Sequence, residues 1–282
     1  MAPATVTRFA PSPTGLLHLG HALAAQVAWE SAQAAGGTFL VRIEDIDFTR
    51  CRPAFEEAIF EDLAWLGFSW PRPVWRQSAR LPIYAAALHQ LEQRGVLYPC
   101  FCTRQEIAAA VTAPQGEAAP VYPGTCRHRS REERTRRMEE GQPWAWRLDA
   151  TLAMAITGPL SWQDALAGSQ QADLSVLGDV VLARKDVATS YHLSVTVDDA
   201  AQGVTLVTRG EDLFDSTHVH RVLQALLGLP VPQWHHHRLI CDESGKRLAK
   251  RDAARSLASL RASGLNPAEA RQLLGPMPLA LP

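Results

Sequence analysis

Two histidines near the start of the chain, His18 and His21, stand where the sequence could bind phosphate. A short β-like run leads into the turn-rich segment 11–15, and a helical stretch begins near Leu19. A helix N-terminus offers unpaired N–H groups and the positive end of the helix dipole, which favour phosphate. Histidines three residues apart share a helix face, so both imidazoles could donate to phosphate oxygens, and Gly20 leaves space for a planar ring. An incidental pair of histidines is the alternative, because so short a spacing recurs by chance.

Lysine is rare in this chain and is concentrated near its end. Only Lys185, Lys246 and Lys250 occur among the 28 lysines and arginines, and the last two lie in the basic loop 245–251. Lysine is a compact point charge, which suits a mobile loop that neutralises phosphate charge. A solvated basic turn is the alternative.

Charged residues end three of the strand-like runs. Arg8 ends the first run, Glu44 the second, and Arg209 a later one. Open α/β sheets bind ligands at the carboxyl ends of their strands, and arginine pairs with carboxylate in a fork. These residues could therefore bind the charged groups of an acidic amino acid, although a charge at a strand end is more often a solvated cap.

Three of the five cysteines, Cys100, Cys102 and Cys126, are clustered in the sequence. Thiolates suit tetrahedral Zn²⁺, and this spacing supplies three ligands. The fourth must come from elsewhere, and His128 is the generic candidate. Unligated thiols are the alternative, whereas a disulfide framework does not fit a chain of this size.

Composition is that of an ordinary soluble globular protein. The 282 residues are 46% hydrophobic and 20% charged, with a net charge of −1, so no overall basic field indicates a nucleic-acid binder. No apolar run is long enough to cross a bilayer, and the N-terminus lacks the pattern of a signal peptide. We therefore expect a cytoplasmic protein with one large domain, or one domain with an insertion.

The order of predicted elements indicates an α/β fold. Strands and helices alternate at the start of the chain, which is typical of a parallel nucleotide-binding sheet. We expect strands at 5–9, 38–43, 176–183, 204–208 and from 238 onward, and helices at 19–35, 54–66, 79–94 and 215–227.

An insertion is predicted in the middle of the chain, where a segment rich in Pro, Gly and Ala precedes the arginine-rich stretch 127–137. That stretch could contact a nucleic-acid backbone or be a solvated helix face. We expect a Rossmann-type doubly wound parallel sheet with an inserted small zinc-containing subdomain. The predicted divisions are 1–99 and 150–240 for the catalytic halves, 100–149 for the insertion, and 241–282 for the lysine loop with short C-terminal helices.

The whole segment from Arg8 to His21 resembles the signature of class I aminoacyl-tRNA synthetases of the glutamyl type, with residues 18–21 as the HIGH element. The loop 247–251 resembles the family's KMSKS loop, although Arg247 replaces the first Lys and Ala249 the Ser. The segments 197–204 and 209–212 resemble a further block of the same family. The resemblance covers nearly the whole chain.

The resemblance implies an ATP-dependent ligase that activates L-glutamate, with Mg²⁺ accompanying ATP. The implied catalytic residues are His18, His21 and Lys250, and these bind ATP together with Gly20. Glu44 suits the α-ammonium of glutamate, and an arginine its γ-carboxylate. The implied residues that bind L-glutamate are Arg8, Ser12, Glu44, Tyr191 and Arg209.

The pattern CxC…YxxxC resembles the zinc site of the glutamyl-Q tRNA(Asp) synthetase subfamily. It implies one structural Zn²⁺ per chain on Cys100, Cys102, Tyr122 and Cys126, with His128 as the alternative to the tyrosine. The sequence also ends soon after the lysine loop, where an ordinary glutamyl-tRNA synthetase continues into a helical anticodon-binding region.

The subfamily transfers glutamate to the queuosine base of tRNA(Asp). The implied partners are therefore ATP, L-glutamate and tRNA(Asp) carrying queuosine, acting with a monomer that contacts no membrane. The alternatives are a truncated glutamyl-tRNA synthetase that charges the 3′ end of tRNA(Glu), or an inactive synthetase-like binding or regulatory protein.

Overall fold

The computed structural model describes residues 4–103, 105–107, 121–184, 188–240 and 256–275. The helices α1–α9 are Leu19–Ala34, Pro53–Trp65, Leu81–Gln93, Arg131–Glu139, Ala150–Thr157, Tyr191–Ala201, Ser216–Leu227, Leu257–Ala262 and Pro267–Gln272. The strands β1–β10 are Val6–Phe9, Thr38–Ile43, Trp75–Arg76, Leu97–Cys100, Ala145–Leu148, Ser161–Asp164, Gly168–Gln171, Val181–Arg184, Leu206–Gly210 and Gln233–His237. None of the helices in the described ranges is long and apolar enough to span a bilayer.

The first half of the chain forms a parallel sheet in the order β1-β2-β3. Helix α1 connects β1 to β2, and its apolar face is buried against the sheet. The tight return into β2 requires Gly37, since a Cβ there would lie 2.0 Å from the carbonyl oxygen of Thr5. The predicted β-α-β-α order of this half is confirmed.

The second half contributes β9, β10 and β6 in parallel, with β7 antiparallel at the edge. Helix α7, which connects β9 to β10, buries Val219, Val222, Leu223 and Leu226, an i, i+3, i+4, i+7 stripe. This packing also turns Thr217 and His220 inward.

The two halves meet where β1 lies beside the start of β9. The N–H of Thr205 donates to the carbonyl of Val6 at 3.0 Å, and the Thr205 hydroxyl accepts from the Val6 N–H at 2.8 Å. This junction is the topological switch point, where doubly wound sheets bind ligands outside the carboxyl ends of their strands. The expected α/β class with a parallel sheet is confirmed.

A separate antiparallel sheet has the order β4-β5-β8. Its third strand, β8, lies beyond residue 149, the predicted end of the insertion, so the chain returns to this sheet after forming the β6–β7 hairpin. The division of the chain into domains stays a prediction.

Two predicted strands are wrong in their bounds. The run 176–183 begins at the last residue of the 3-10 turn Leu174–Val176 and includes Gly178, whose φ of 65° interrupts an extended backbone. Strand β8 therefore starts at Val181. The strand expected from residue 238 lies earlier, at β10, whose three consecutive histidines are all buried. Because histidine side chains are polar, a hydrophobicity pattern does not identify this run as a core strand.

Candidate functional site

A cleft of about 550 Å³ opens at the carboxyl ends of β1 and β9. It is lined by all five residues predicted to bind glutamate and by the three described residues predicted to bind ATP. These lining residues are Arg8, Ser12, Glu44, Tyr191, Arg209, His18, Gly20 and His21.

The two histidines at the start of α1 are held by backbone N–H groups. His18 is the N-cap residue, and its Nδ1 accepts from the N–H of Gly20 at 3.1 Å. The Nδ1 of His21 accepts from the N–H of His18 at 3.2 Å, and the two ring centroids are 3.9 Å apart. Because each Nδ1 is an acceptor, Nε2 is the nitrogen that carries the proton in each ring. Both imidazoles are thus neutral Nε2–H donors.

Gly20 lines the cleft, and its predicted contact with ATP stays a prediction. A Cβ at this position would lie 3.0 Å from Cε1 and 3.1 Å from Nδ1 of His18. The planar ring that the glycine accommodates is therefore the imidazole of His18.

Arg8 and Glu44 belong to a buried network organised by Asp199 and Arg42. The Oδ1 atom of Asp199 accepts from Arg8 Nε at 3.0 Å and from Arg42 Nη1 at 2.8 Å. Arg42 Nη2 donates to Glu44 Oε1 at 3.1 Å, and Arg8 Nη1 to the carbonyl of Thr208 at 3.1 Å. Sequence reasoning did not assign these roles to Arg42 and Asp199. The nearest signal was the pair of aspartates at 198 and 199.

Burial raises the pKa of Glu44, although Arg42 and Arg8 oppose the rise. The two arginines therefore do not fully offset the effect of burial on the Glu44 carboxylate. A cation that enters the cleft would stabilise the ionised form of this side chain. An ammonium group is a ligand of this kind.

Arg209 is buried, and in the described part of the chain it has no carboxylate partner. Among the described residues its guanidinium contacts only neutral groups: Tyr191 Oη at 3.2 Å, His220 Nδ1 at 3.2 Å, His236 Nε2 at 3.1 Å and Thr217 Oγ1 at 2.5 Å. Within the described ranges, no Asp or Glu oxygen lies within 4.0 Å of it. Burial lowers its pKa. A buried unpaired cation is costly, so this arginine is suited to an anionic ligand.

The lysine loop lies outside the described residues, and with it Lys246, Arg247, Ala249 and Lys250. The chain on either side of this gap reaches the cleft. Leu239 and Ile240 line it. On the far side, Ser256 forms an antiparallel bridge with His18. The predicted ATP contact of Lys250 stays a prediction.

The three clustered cysteines meet in space. The Sγ atoms of Cys100, Cys102 and Cys126 all lie within 4.8 Å of one another. The hydroxyl of Tyr122 is 3.3 Å from Cys100 Sγ and 3.6 Å from Cys102 Sγ. Ligands of a tetrahedral zinc, with Zn–S near 2.3 Å and Zn–O near 2.0 Å, are separated by about 3.5 Å, so these four side chains fit the ion. His128 is exposed and is absent from this group of neighbouring ligand atoms.

The arginine-rich stretch 127–137 contains most of helix α4, and ion pairs form within and beside this helix. Glu133 pairs with Arg129 and Arg137, and Arg136 pairs with Glu140 at 3.1 Å. Both readings of this stretch, as a tRNA contact and as a solvated face, stay open.

Comparison with known proteins agrees with the geometry of the cleft. Residues 4–275 match the family described as tRNA synthetases class I (E and Q), catalytic domain. The chain belongs to this synthetase family. Two curated relatives are both named glutamyl-Q tRNA(Asp) synthetase. The one from Rhodobacter capsulatus is 54% identical over 96% of this chain and 99% of its own length, and the one from Symbiobacterium thermophilum is 43% identical over 92% and 82%.

Solved structures support the synthetase fold. A glutamate tRNA ligase from Elizabethkingia meningosepticum, crystallised with its amino acid, is 32% identical with a TM-score of 0.74, and the match covers 89% of this synthetase. It covers 53% of the ligase, so this chain spans about half the length of that protein. A methionyl-tRNA synthetase from Mycobacterium tuberculosis is 11% identical with a TM-score of 0.62, which shows the shared fold alone.

Proposed function

We propose that this synthetase activates L-glutamate with ATP and transfers the glutamate to the queuosine base of tRNA(Asp). The proposal is based mainly on one observation: a single cleft contains the acidic Glu44, the buried Arg209, which is suited to bind an anion, and the two histidines of α1. Glutamate carries one ammonium and two carboxylates, and this arrangement of charges matches it. The curated relatives named for transfer to tRNA(Asp) supply the acceptor.

Glu44 receives the α-ammonium in this proposal, and Arg209 receives the γ-carboxylate. The Tyr191 hydroxyl bonded to Arg209 and the Ser12 side chain complete the polar lining. Arg8, held by Asp199, keeps positive charge near the α-carboxylate. A guanidinium with only neutral partners loses little when it binds an anion, because no internal ion pair has to break.

In the activation step, an oxygen of the glutamate α-carboxylate forms a bond to the α-phosphorus of ATP. The bond from that phosphorus to the leaving oxygen breaks, and pyrophosphate departs with the electron pair. His18 and His21 donate from Nε2 to phosphate oxygens, and Gly20 lets the His18 ring lie against the helix start. Lys250 neutralises the leaving group. Mg²⁺ that accompanies ATP supplies further charge neutralisation.

Transfer follows when a nucleophilic group of the queuosine base attacks the acyl carbon of glutamyl-adenylate. The bond to the phosphate oxygen breaks, AMP leaves, and the nucleophile loses its proton. Catalysis in both steps consists of positioning and charge stabilisation.

We also infer that Cys100, Cys102, Tyr122 and Cys126 hold one Zn²⁺. Four protein ligands leave no open coordination position, so the ion would have a structural role and fix the segment around Tyr122 against the β4 end of the small sheet.

The experiment that tests the function is an acceptor assay with labelled glutamate and ATP. We expect label on tRNA(Asp) that carries queuosine, and none on queuosine-free tRNA(Asp) or on tRNA(Glu). Label at the 3′ end of tRNA(Glu) would identify a truncated glutamyl-tRNA synthetase instead. If no acceptor is labelled and glutamate does not drive pyrophosphate exchange, the chain is an inactive synthetase-like protein.

A further inference from the structure

A hydrogen-bonded relay lies behind Arg209, on the side away from the cleft. The Oδ2 atom of Asp164 is 2.7 Å from Nδ1 of His236, and Nε2 of His236 accepts from Arg209 Nε at 3.1 Å. Asp164 ends β6, His236 lies in β10 and Arg209 in β9, so the relay crosses three neighbouring strands. Asp164 and His236 are each 5% exposed. Neither residue lines the cleft.

The protons in this relay are fixed by its two ends. The Nε of arginine is always an N–H donor, so Nε2 of His236 must present a lone pair. The ring proton is then on Nδ1, where the Asp164 carboxylate accepts it. Burial raises the pKa of Asp164, but the bonds from His236 and from the Ala167 and Leu166 N–H groups lower it to about 2. Burial lowers the pKa of His236, although the bond to Asp164 opposes the fall, which agrees with a ring that keeps a lone pair on Nε2.

We propose that Asp164 is a positioning residue for glutamate recognition, which acts through His236 to orient the Arg209 guanidinium toward the side-chain carboxylate of the substrate. This inference rests on the proposed function, and it extends glutamate recognition to a residue that does not touch the substrate.

The relay explains how Arg209 is oriented without being neutralised. A carboxylate in direct contact with Arg209 would compete with the substrate for the guanidinium. Here an imidazole separates the carboxylate from the arginine, so Arg209 is held by a neutral acceptor. A second histidine also contacts the guanidinium. His220 Nδ1 lies beside Arg209 Nη1, and the other ring nitrogen of His220, Nε2, is 3.2 Å from His192 Nδ1.

The test is the Asp164→Asn variant, which keeps the shape of the side chain. Its amide oxygen can still accept from Leu166 and Ala167 N–H, each now 2.9 Å from Asp164 Oδ1. Its amide nitrogen would replace Oδ2, which accepts from the His236 backbone N–H at 3.2 Å and contacts His236 Nδ1 at 2.7 Å. An N–H donor there favours the opposite tautomer, which sets an Nε2–H against the Arg209 Nε–H. Isothermal titration calorimetry should show at least a tenfold rise in the Kd for glutamate, as for a lost bond to a charged group. The Kd for ATP should stay within about twofold, since no ATP residue is touched.

Asp179→Asn is the matched control. Asp179 is another buried aspartate, 3% exposed, which accepts from the Tyr98 hydroxyl and the Ala150 N–H near the small sheet. We expect it to leave the Kd values for both glutamate and ATP unchanged, even if the melting temperature falls.

His236→Gln tests the direction of the relay, because its amide oxygen can take the place of Nε2 as the acceptor for Arg209. In this background the added Asp164→Asn change should alter the Kd for glutamate by less than about twofold, since coupled residues are non-additive. Normal glutamate binding by Asp164→Asn, or parallel losses of ATP and glutamate binding, would overturn the inference. If the wild-type protein binds no glutamate at all, the proposed function itself fails, and this inference with it.

Discussion

His18 and Ser256 are joined in an antiparallel bridge, so the N-cap residue of α1 is a neighbour of the residue at which the described chain resumes after the lysine loop. The N–H of Leu257 also donates to the carbonyl of Leu17 at 2.8 Å. These backbone contacts fix the exit of the loop to the helix that would receive ATP, although the two segments are far apart in sequence. They support the prediction that the lysine loop belongs to the same site as the start of this helix.

Replacing Gly20 by Ala should slow adenylate formation. The new Cβ would lie 3.0 Å from the His18 ring, which must shift away from its capping position. Because orientation of a donor toward developing charge governs the rate, we expect kcat for glutamate-dependent pyrophosphate exchange to fall about 10- to 100-fold. The KM for glutamate should stay unchanged. Gly15→Ala is the control, since nothing lies within 4 Å of a Cβ there. Equal activity of the two variants would contradict this role of Gly20.

Replacing Arg209 by Gln should weaken glutamate binding without lowering the stability of the protein. The Kd for glutamate should rise about 10- to 100-fold, because a charge-assisted bond to the substrate is lost. The melting temperature of the free protein should not fall, since a buried cation without a carboxylate partner is removed. Calorimetry and thermal unfolding measure the two effects. Arg221→Gln, on the outer side of α7, is the control for glutamate binding. A sharp loss of stability with normal glutamate binding would show that Arg209 is structural.

Glutamate binding should weaken as the pH falls, and Glu44 should be the cause. Burial raises the pKa of Glu44 above the ordinary value, so protonation begins at a higher pH than for an exposed glutamate. The α-ammonium binds the ionised form, so affinity is complete above this raised pKa and is lost as the pH drops through it. Burial lowers the pKa values of His220 and His236, so these rings take up a proton at a lower pH than an exposed histidine.

The measurement is the Kd for glutamate at a series of pH values from neutral downward, for the wild type and for a variant without the Glu44 carboxyl group. Glu44→Gln should bind weakly with little dependence on pH. A steep pH dependence that persists in this variant would assign the titration to another group.

Zinc content should depend on Tyr122. Tyr122→Phe removes one proposed ligand oxygen, and Cys126→Ser replaces a ligand thiolate. Protein purified without chelator should contain one zinc per chain, less in Tyr122→Phe after mild chelation, and little in Cys126→Ser. Cys51→Ser, a cysteine outside the cluster, should retain the metal. The absence of zinc from the wild-type protein would contradict the proposed metal site. Full retention by Tyr122→Phe would leave His128 as the alternative ligand.

Local patterns predicted the first half of the fold well, because its strands and helices follow ordinary periodicity and end at glycines. The predicted strand 38–43 matches β2. The second half was harder. Strand β10 is a run of buried histidines, and burial lowers the pKa values of all three. Two of them, His236 and His237, also have hydrogen-bond partners, Asp164 and the carbonyl of Arg238. No hydrophobicity pattern distinguishes such histidines from solvated ones.

Site residues at strand ends could be predicted, whereas the groups that hold them could not. Arg8, Glu44 and Arg209 follow strands and match a family motif. Asp199 and Asp164 act across 191 and 72 residues of sequence, on Arg8 and His236 respectively. Such pairings depend on which strands become neighbours, and a single sequence does not specify this.

The most direct test of the account is a crystal structure with a non-hydrolysable glutamyl-adenylate analogue. We predict that its side-chain carboxylate contacts Arg209, its ammonium lies at Glu44, and the group that replaces the phosphate lies near His18 with Lys250 within reach. An analogue bound outside this cleft, or with its ammonium facing Arg209, would contradict the account.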